Sequence, residues 1–253
     1  MINIRKNRFY NIKILRSFFI YLLGGTWHKD TKSRINQFIQ KNDVVLDIGA
    51  LSSPYTKECR NKVVAIDIIE KGQFGFSKQS IENLKSPSNR KSKIIPLYAN
   101  AENLPFKNNI FDKILLTEVL EHIENDKQAV REMARVLKKE GAAFVTTPNL
   151  ETVPLDSGIK EHFRHYSEHD LKKLFIPAFK NISIKRRFFI NLFHIQDRYP
   201  YIDNKSNLIL INIPPRLLFH FLYEFVLFFE KRIFRNRKKG GYNLIAICAD
   251  PKN

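Results

Sequence analysis

Cysteine is scarce: two in 253 residues, Cys59 and Cys248, far apart in sequence and without metal-ligand spacing. That excludes a disulfide-dense scaffold and fits a reducing compartment, although a single long-range pair stays open. Glycine (9) and proline (11) are too few for a collagenous or low-complexity chain. Acidic residues are outnumbered 25 to 43, giving a formal charge of +18. No apolar run reaches the roughly 18–20 residues that cross a bilayer. The N-terminus carries Arg5, Lys6, Arg8, Lys13 and Arg16, but its apolar stretch Phe18–Leu23 is shorter than a signal core of about 7–15 residues. No small-x-small cleavage site follows, so the segment reads as an amphipathic helix of a cytoplasmic protein.

What is present is a globular composition, 43% hydrophobic and 27% charged, at a length that supports one large domain with elaborations. The charge is concentrated at the ends. Residues 1–41 hold 9 basic against 1 acidic residue, 42–159 hold 16 of each, and 160–253 hold 18 against 8. Basic ends attract phosphate in nucleic acid, anionic lipid or a charged substrate. The plainer alternative is solubility.

Five apolar runs alternate with helical patterns: Val44–Ile48, Val63–Asp67, Ile94–Tyr98, Phe111–Leu116 and Ala142–Thr146. Pro96 predicts an interruption in the third. A helix is expected after the fourth, capped by Asn125 with Gln128 reciprocating. Val130, Met133, Ala134 and Leu137 form its apolar stripe, Lys138 and Lys139 its last turn, and Gly141 its stop. Ser167 and Asp170 open another helix, which Pro177 closes. Strands near Ile182–Phe188 and Asn243–Cys248 complete seven. This order predicts an α/β, Rossmann-like, doubly wound and mainly parallel sheet with helices on both faces. Ligands of such sheets bind at the carboxyl ends of the strands, where the strand order reverses. That rule places Asp47, Gly49, Asp67, Asn100, Thr117 and Glu118 on one rim.

Gly49 permits a tight bend with close backbone approach. Asp67, at the end of the second strand, is suited to ribose hydroxyls and repels a 2′-phosphate. A dinucleotide fingerprint needs three glycines, and the stretch Gly49-Ala50-Leu51-Ser52-Ser53-Pro54 has only the first, which disfavours pyrophosphate.

Val45-Leu46-Asp47-Ile48-Gly49, Asp67, Ala101-Glu102-Asn103-Leu104-Pro105-Phe106, Phe111-Asp112, Glu118-Val119-Leu120-Glu121-His122 and Arg135–Gly141 occur in that order. The set resembles a class I S-adenosylmethionine-dependent methyltransferase of the type 11 group over residues 42–176. The resemblance implies S-adenosyl-L-methionine as cofactor. It puts Asp47 and Gly49 at the methionine end, Asp67 on the ribose, Asn100, Ala101 and Glu102 beside the adenine, and Thr117 and Glu118 beneath the sulfonium. Asn100 stands where the family often has Asp, and Leu51 where it usually has a second glycine. Ser53-Pro54-Tyr55 resembles a variant found in methyltransferases of glycan and cell-surface assembly. The implied organisation is a basic amphipathic helical region (1–41), a cofactor-binding domain (42–190), a hydrophobic and basic helical insertion (191–241) and a last strand (242–253).

Methyl transfer to an amine or carbanion needs little beyond alignment, whereas a hydroxyl needs a base, for which histidine is best tuned. His162 is the preferred base, with Arg164 or Tyr166 orienting substrate; His122 and Glu118 are further catalytic candidates. Capping and packing are the plain alternatives for these histidines. His162, His165 and His169 as zinc ligands are disfavoured, since Ser167 starts a helix between them and no fourth ligand is apparent, so no metal is expected. The apolar stretch Leu217–Phe229, followed by Lys231, Arg232, Arg235, Arg237, Lys238 and Lys239, suits either a helix lying on an anionic membrane surface or one buried between domain and lid or in a dimer contact. The expected activity is methylation of a small-molecule, glycan or lipid-linked acceptor in the cytoplasm or at the inner membrane face. A tRNA methyltransferase and a non-catalytic cofactor-binding scaffold are the alternatives. Nucleic acid is the weaker partner, because no RNA-binding module or aromatic platform is evident.

Overall fold

The computed structural model describes residues 30–50, 55, 61–68, 93–155, 162–187, 241 and 243–252. The chain divides into two compact units, 1–33 with 188–239 and 34–187 with 240–253. The second unit carries the sheet. Leu51, the Phe18–Leu23 stretch and the Leu217–Phe229 stretch all lie outside the described residues.

Seven strands form one sheet: β1 (Val44–Ile48), β2 (Lys62–Asp67), β3 (Lys93–Tyr98), β4 (Phe111–Thr117), β5 (Leu137–Pro148), β6 (Phe179–Arg187) and β7 (Asn243–Pro251). Their order is β3-β2-β1-β4-β5-β7-β6. The first five run parallel, and β7 lies antiparallel between β5 and β6. Among the described residues three α-helical segments accompany them: α1, described over 30–38, α2 (Asp126–Val136) and α3 (Glu168–Phe175).

Strand periodicity sorts the apolar side chains onto two faces. Leu46, Ile48, Ile114, Leu116 and Val145 point to one face, where Val130 and Met133 of α2 and Leu171 and Phe175 of α3 cover them. Val45, Val63, Leu115, Phe144 and Ile245 point to the other, against Ile35 and Phe38 of α1. Both faces are thus dry, which is why the central strands read as continuous apolar runs. Each fully buried Leu, Ile or Phe contributes roughly 1.5–3 kcal/mol.

The helix capped by Asn125 ends one turn earlier than its sequence suggests. Val136 is its last residue, the Leu137 N–H closes it onto Ala134 and Met133, and Lys138 and Lys139 belong to β5. Lys138 is drawn there by Asp112, 2.7 Å away. Phe111 pairs with Leu137 and Lys113 with Ala142, so the intervening residues bulge. Gly141 serves that bulge rather than a helix stop: a Cβ on it would meet the Lys138 carbonyl at 2.8 Å. Pro96, expected to interrupt β3, sits within an unbroken strand. β3 is the sheet edge, so the missing N–H costs no ladder bond. The sixth and seventh strands run as Phe179–Arg187 and Asn243–Pro251, shifted or lengthened relative to expectation.

Candidate active site

Strand order reverses between β1 and β4, and the rim at their carboxyl ends collects the predicted residues. Asp47 lies near the end of β1, fully buried. The chain then turns through Gly49 at φ +73°, with the N–H groups of Gly49 and Ala50 both donating to the Ile66 carbonyl of β2 (2.9 and 3.1 Å). A Cβ on Gly49 would overlap the Val119 side chain, so this bend lies directly against the tip of β4. Half-exposed Asp67 ends β2, and its Oδ1 accepts the Ile68 N–H at 2.9 Å. The Ala99 N–H donates to the Asp67 carbonyl (3.0 Å), which places Asn100 beside that rim. Asn100 Oδ1 caps its own turn by accepting the Glu102 N–H at 2.9 Å. Glu102 Oε1 accepts the Asn125 N–H at 3.0 Å, taking the reciprocal capping position expected of Gln128. Gln128 Oε1 accepts from Arg131 instead.

Beyond Thr117 the backbone of Glu118 is left-handed, φ +54°, a costly conformation for a non-glycine residue that its surroundings enforce. Its N–H donates to the Thr146 carbonyl at 3.0 Å. Its Oε1 accepts from Asn243 Nδ2 at 2.8 Å. Leu120–His122 then form a 3-10 turn. Glu121 is buried, with Oε2 accepting the Thr147 hydroxyl at 3.0 Å. Burial pushes the Glu118 carboxyl up, opposed by hydrogen bonds from Thr146 and Asn243. Burial, and then the charge of Glu118, push Glu121 well above the usual carboxylate range.

Segment 162–166 is fastened along this turn. The Phe163 N–H donates to the Glu121 carbonyl at 2.8 Å. Arg164 donates to the Ile123 and Glu124 carbonyls (3.0 and 2.7 Å) and pairs with Asp126 at 3.1 Å. The buried Tyr166 hydroxyl donates to Asp126 Oδ2 at 3.0 Å. Arg164 and Tyr166, expected to orient substrate, are committed to the protein's own chain. What they position is His162, whose ring stands edge-on to His122 with centroids 4.4 Å apart. His162 Nδ1 lies 2.6 Å from His165 Nε2, and His165 Nδ1 lies 2.6 Å from the Val153 carbonyl. A carbonyl only accepts, so His165 carries its proton on Nδ1. His165 Nε2 faces His162 Nδ1, so Nε2 of His162 is the ring nitrogen outside that contact. His169 sits exposed on α3.

Sequence reasoning passed over Glu121, Thr146, Thr147 and Asn243. Only the position of Glu121 within Glu118-Val119-Leu120-Glu121-His122 offered a signal, because the others arrive through sheet pairing. It also missed Glu132 and Arg135, which hold the Leu104-Pro105-Phe106 segment. Arg135 donates to the Leu104 and Phe106 carbonyls and to Glu132, which in turn accepts the Leu104 N–H at 2.8 Å.

The residues present fit S-adenosylmethionine. The left-handed bend at Gly49 suits close backbone approach at its methionine end, and the carboxylate of Asp67 on the adjoining strand suits ribose hydroxyls. Residues 46–145 match the methyltransferase domain family. An uncharacterized protein of Methanocaldococcus jannaschii is 38% identical over 117 residues, 46% of this chain and 41% of that protein. The chain thus spans about two fifths of that relative's length. The demethylmenaquinone methyltransferase of Halalkalibacterium halodurans is 24% identical over 173 residues, 67% of this chain and 69% of that one. Among solved structures, an S-adenosylmethionine-dependent methyltransferase of Thermotoga maritima superposes with TM-score 0.60 at 14% identity, over 96% of this chain and 98% of that one, a likeness of fold. The sheet order and the bend at Gly49 against β4 thus lie in the region, 46–145, that matches the methyltransferase domain family.

Proposed function

We propose that the chain transfers a methyl group to a hydroxyl of a small-molecule, glycan or lipid-linked acceptor. Asp47, Gly49 and Asp67 hold the cofactor, with Asn100, Ala101 and Glu102 at its adenine and Thr117 at its reactive end. Bound S-adenosylmethionine supplies an electrophilic methyl. The observation that carries the hydroxyl reading is the edge-on pair His122 and His162, set together with Glu121 at the rim. Amine or already carbanionic acceptors need alignment alone, whereas this rim presents groups that engage an O–H. Phe163, next to His162 and 52% exposed, offers apolar surface to the acceptor. That favours a lipid-linked or ring-bearing molecule over a bare sugar. The basic ends of the sequence fit delivery from an anionic membrane surface. Among the described residues no helix is long and apolar enough to cross a membrane.

A second reading, methylation at a ring carbon, draws support from the relative named demethylmenaquinone methyltransferase. A hydroxylated ring reacting at carbon also gains from losing its phenolic proton, so the same histidines serve it. The test is transfer of labelled methyl to fractionated lipid, glycan and small-molecule pools, with Asp67→Ala as control and the product's methyl shift read by NMR. An oxygen-bound methyl is expected. A carbon-bound methyl selects the second reading, and absence of S-adenosylmethionine binding in calorimetry overturns both.

A further inference from the structure

The histidine–carboxylate group at the rim has more structure than a base requires. Glu121, His122 and His162 each offer a ligand atom, and these atoms all lie within 4.8 Å of one another. The donor set is two imidazoles and one carboxylate, which suits a divalent first-row cation and leaves coordination positions open for an outside ligand. Bond lengths of about 2.0–2.2 Å to such a cation are reached by small movements of side chains already facing one another.

A second, independent observation concerns what stands behind the ligands. Metal-binding histidines characteristically donate their other ring N–H to a fixed acceptor, which sets the tautomer and aims the lone pair. His162 has that arrangement: Nδ1 faces His165 Nε2, and buried His165 is in turn held by the Val153 carbonyl. Glu121 is prepared likewise. The Thr147 hydroxyl fixes its Oε2 at 3.0 Å.

We infer that Glu121, His122 and His162 form a binding site for a divalent transition-metal cation, with His165 as a positioning residue behind His162. The site deepens the hydroxyl reading and rests on it for its purpose. A hydroxyl oxygen of the acceptor takes an open coordination position, its O–H is polarised, and the proton leaves to water.

The test uses the full chain stripped with EDTA and titrated with Co2+, following visible d–d absorption, and with Mn2+ and Zn2+ by calorimetry. One equivalent is expected, with a raised melting temperature. Glu121→Gln and His122→Asn should abolish binding, and His165→Asn should weaken it about 10–100-fold. If Glu121→Gln does not fold, His122→Asn carries the result. Failure to bind all three cations, or binding unchanged in the folded ligand variants, overturns the site. S-adenosylmethionine calorimetry on the same stripped sample separates the two ideas. Cofactor binding without cation binding removes the metal site and keeps the methyltransferase reading. Cation binding without cofactor binding does the reverse. Full methyl transfer in EDTA also overturns the site.

Discussion

Gly49 and Val119 are pressed together: the space a Cβ on Gly49 would need is already filled by the Val119 side chain. Two constraints therefore meet at one residue, a left-handed φ of +73° and the absence of room. Gly49→Ala should cost about 1–2 kcal/mol for its backbone conformation alone, and more for the overlap. Adding Val119→Ala should recover the second part and not the first. Melting temperatures of the single and double variants check the split, and cofactor calorimetry should show the bend displaced in Gly49→Ala.

Asp67 lies half-exposed at the rim, so its loss should be felt in binding rather than in folding. Hydrogen bonds to a charged group contribute about 1.5–3 kcal/mol. Asp67→Ala should thus weaken S-adenosylmethionine binding by about tenfold to a hundredfold, with a melting temperature close to that of the parent. A large loss of stability with unchanged affinity would refute the assignment.

Glu132 gives a pH signature remote from the chemistry. Its hydrogen bonds from Arg135, reinforced by the Leu104 N–H, hold its carboxyl below the ordinary value despite partial burial. A depressed folded-state pKa means stability that is present above the unfolded pKa of about 4.3 and is lost as pH falls through the folded value. Glu132→Gln should therefore cost about 1.5–3 kcal/mol at pH 7. The gap between variant and parent should shrink below about pH 4. Denaturant midpoints on either side of that value measure it.

Cys248 is fully buried in β7, and burial pushes its thiol far up. In a Cys59→Ser background, Cys248 should resist a thiol-specific disulfide reagent in the native protein and react at once in denaturant. Rapid native labelling would contradict the packing of β7 between β5 and β6.

The sheet was legible because both of its faces are dry, which turns the central strands into plain apolar runs ending at rim residues. The Ser167–Asp170 capping box was legible because it is local; its hydroxyl accepts the Asp170 N–H as its spacing implies. Gly141 misled because a glycine after a helical stripe signals a stop equally well when the real cause is a bulge. Pro96 misled because edge position is a property of strand order, which spacing does not carry. The histidines show the limit most clearly. Sequence spacing groups His162 with His165 and His169, whereas the fold keeps His165, leaves out His169 and adds His122, about forty residues away, through bonds from the Phe163 N–H and the Arg164 side chain.

β6 leaves the sheet at Arg187 and β7 enters it at Asn243, and these two residues are register partners. The ladder itself therefore fastens both ends of the intervening stretch, next to the Asn243 amide that holds Glu118. Because loop-closure entropy grows only slowly with length, the stretch between those anchors can lengthen, shorten or change composition at little expense to the strands.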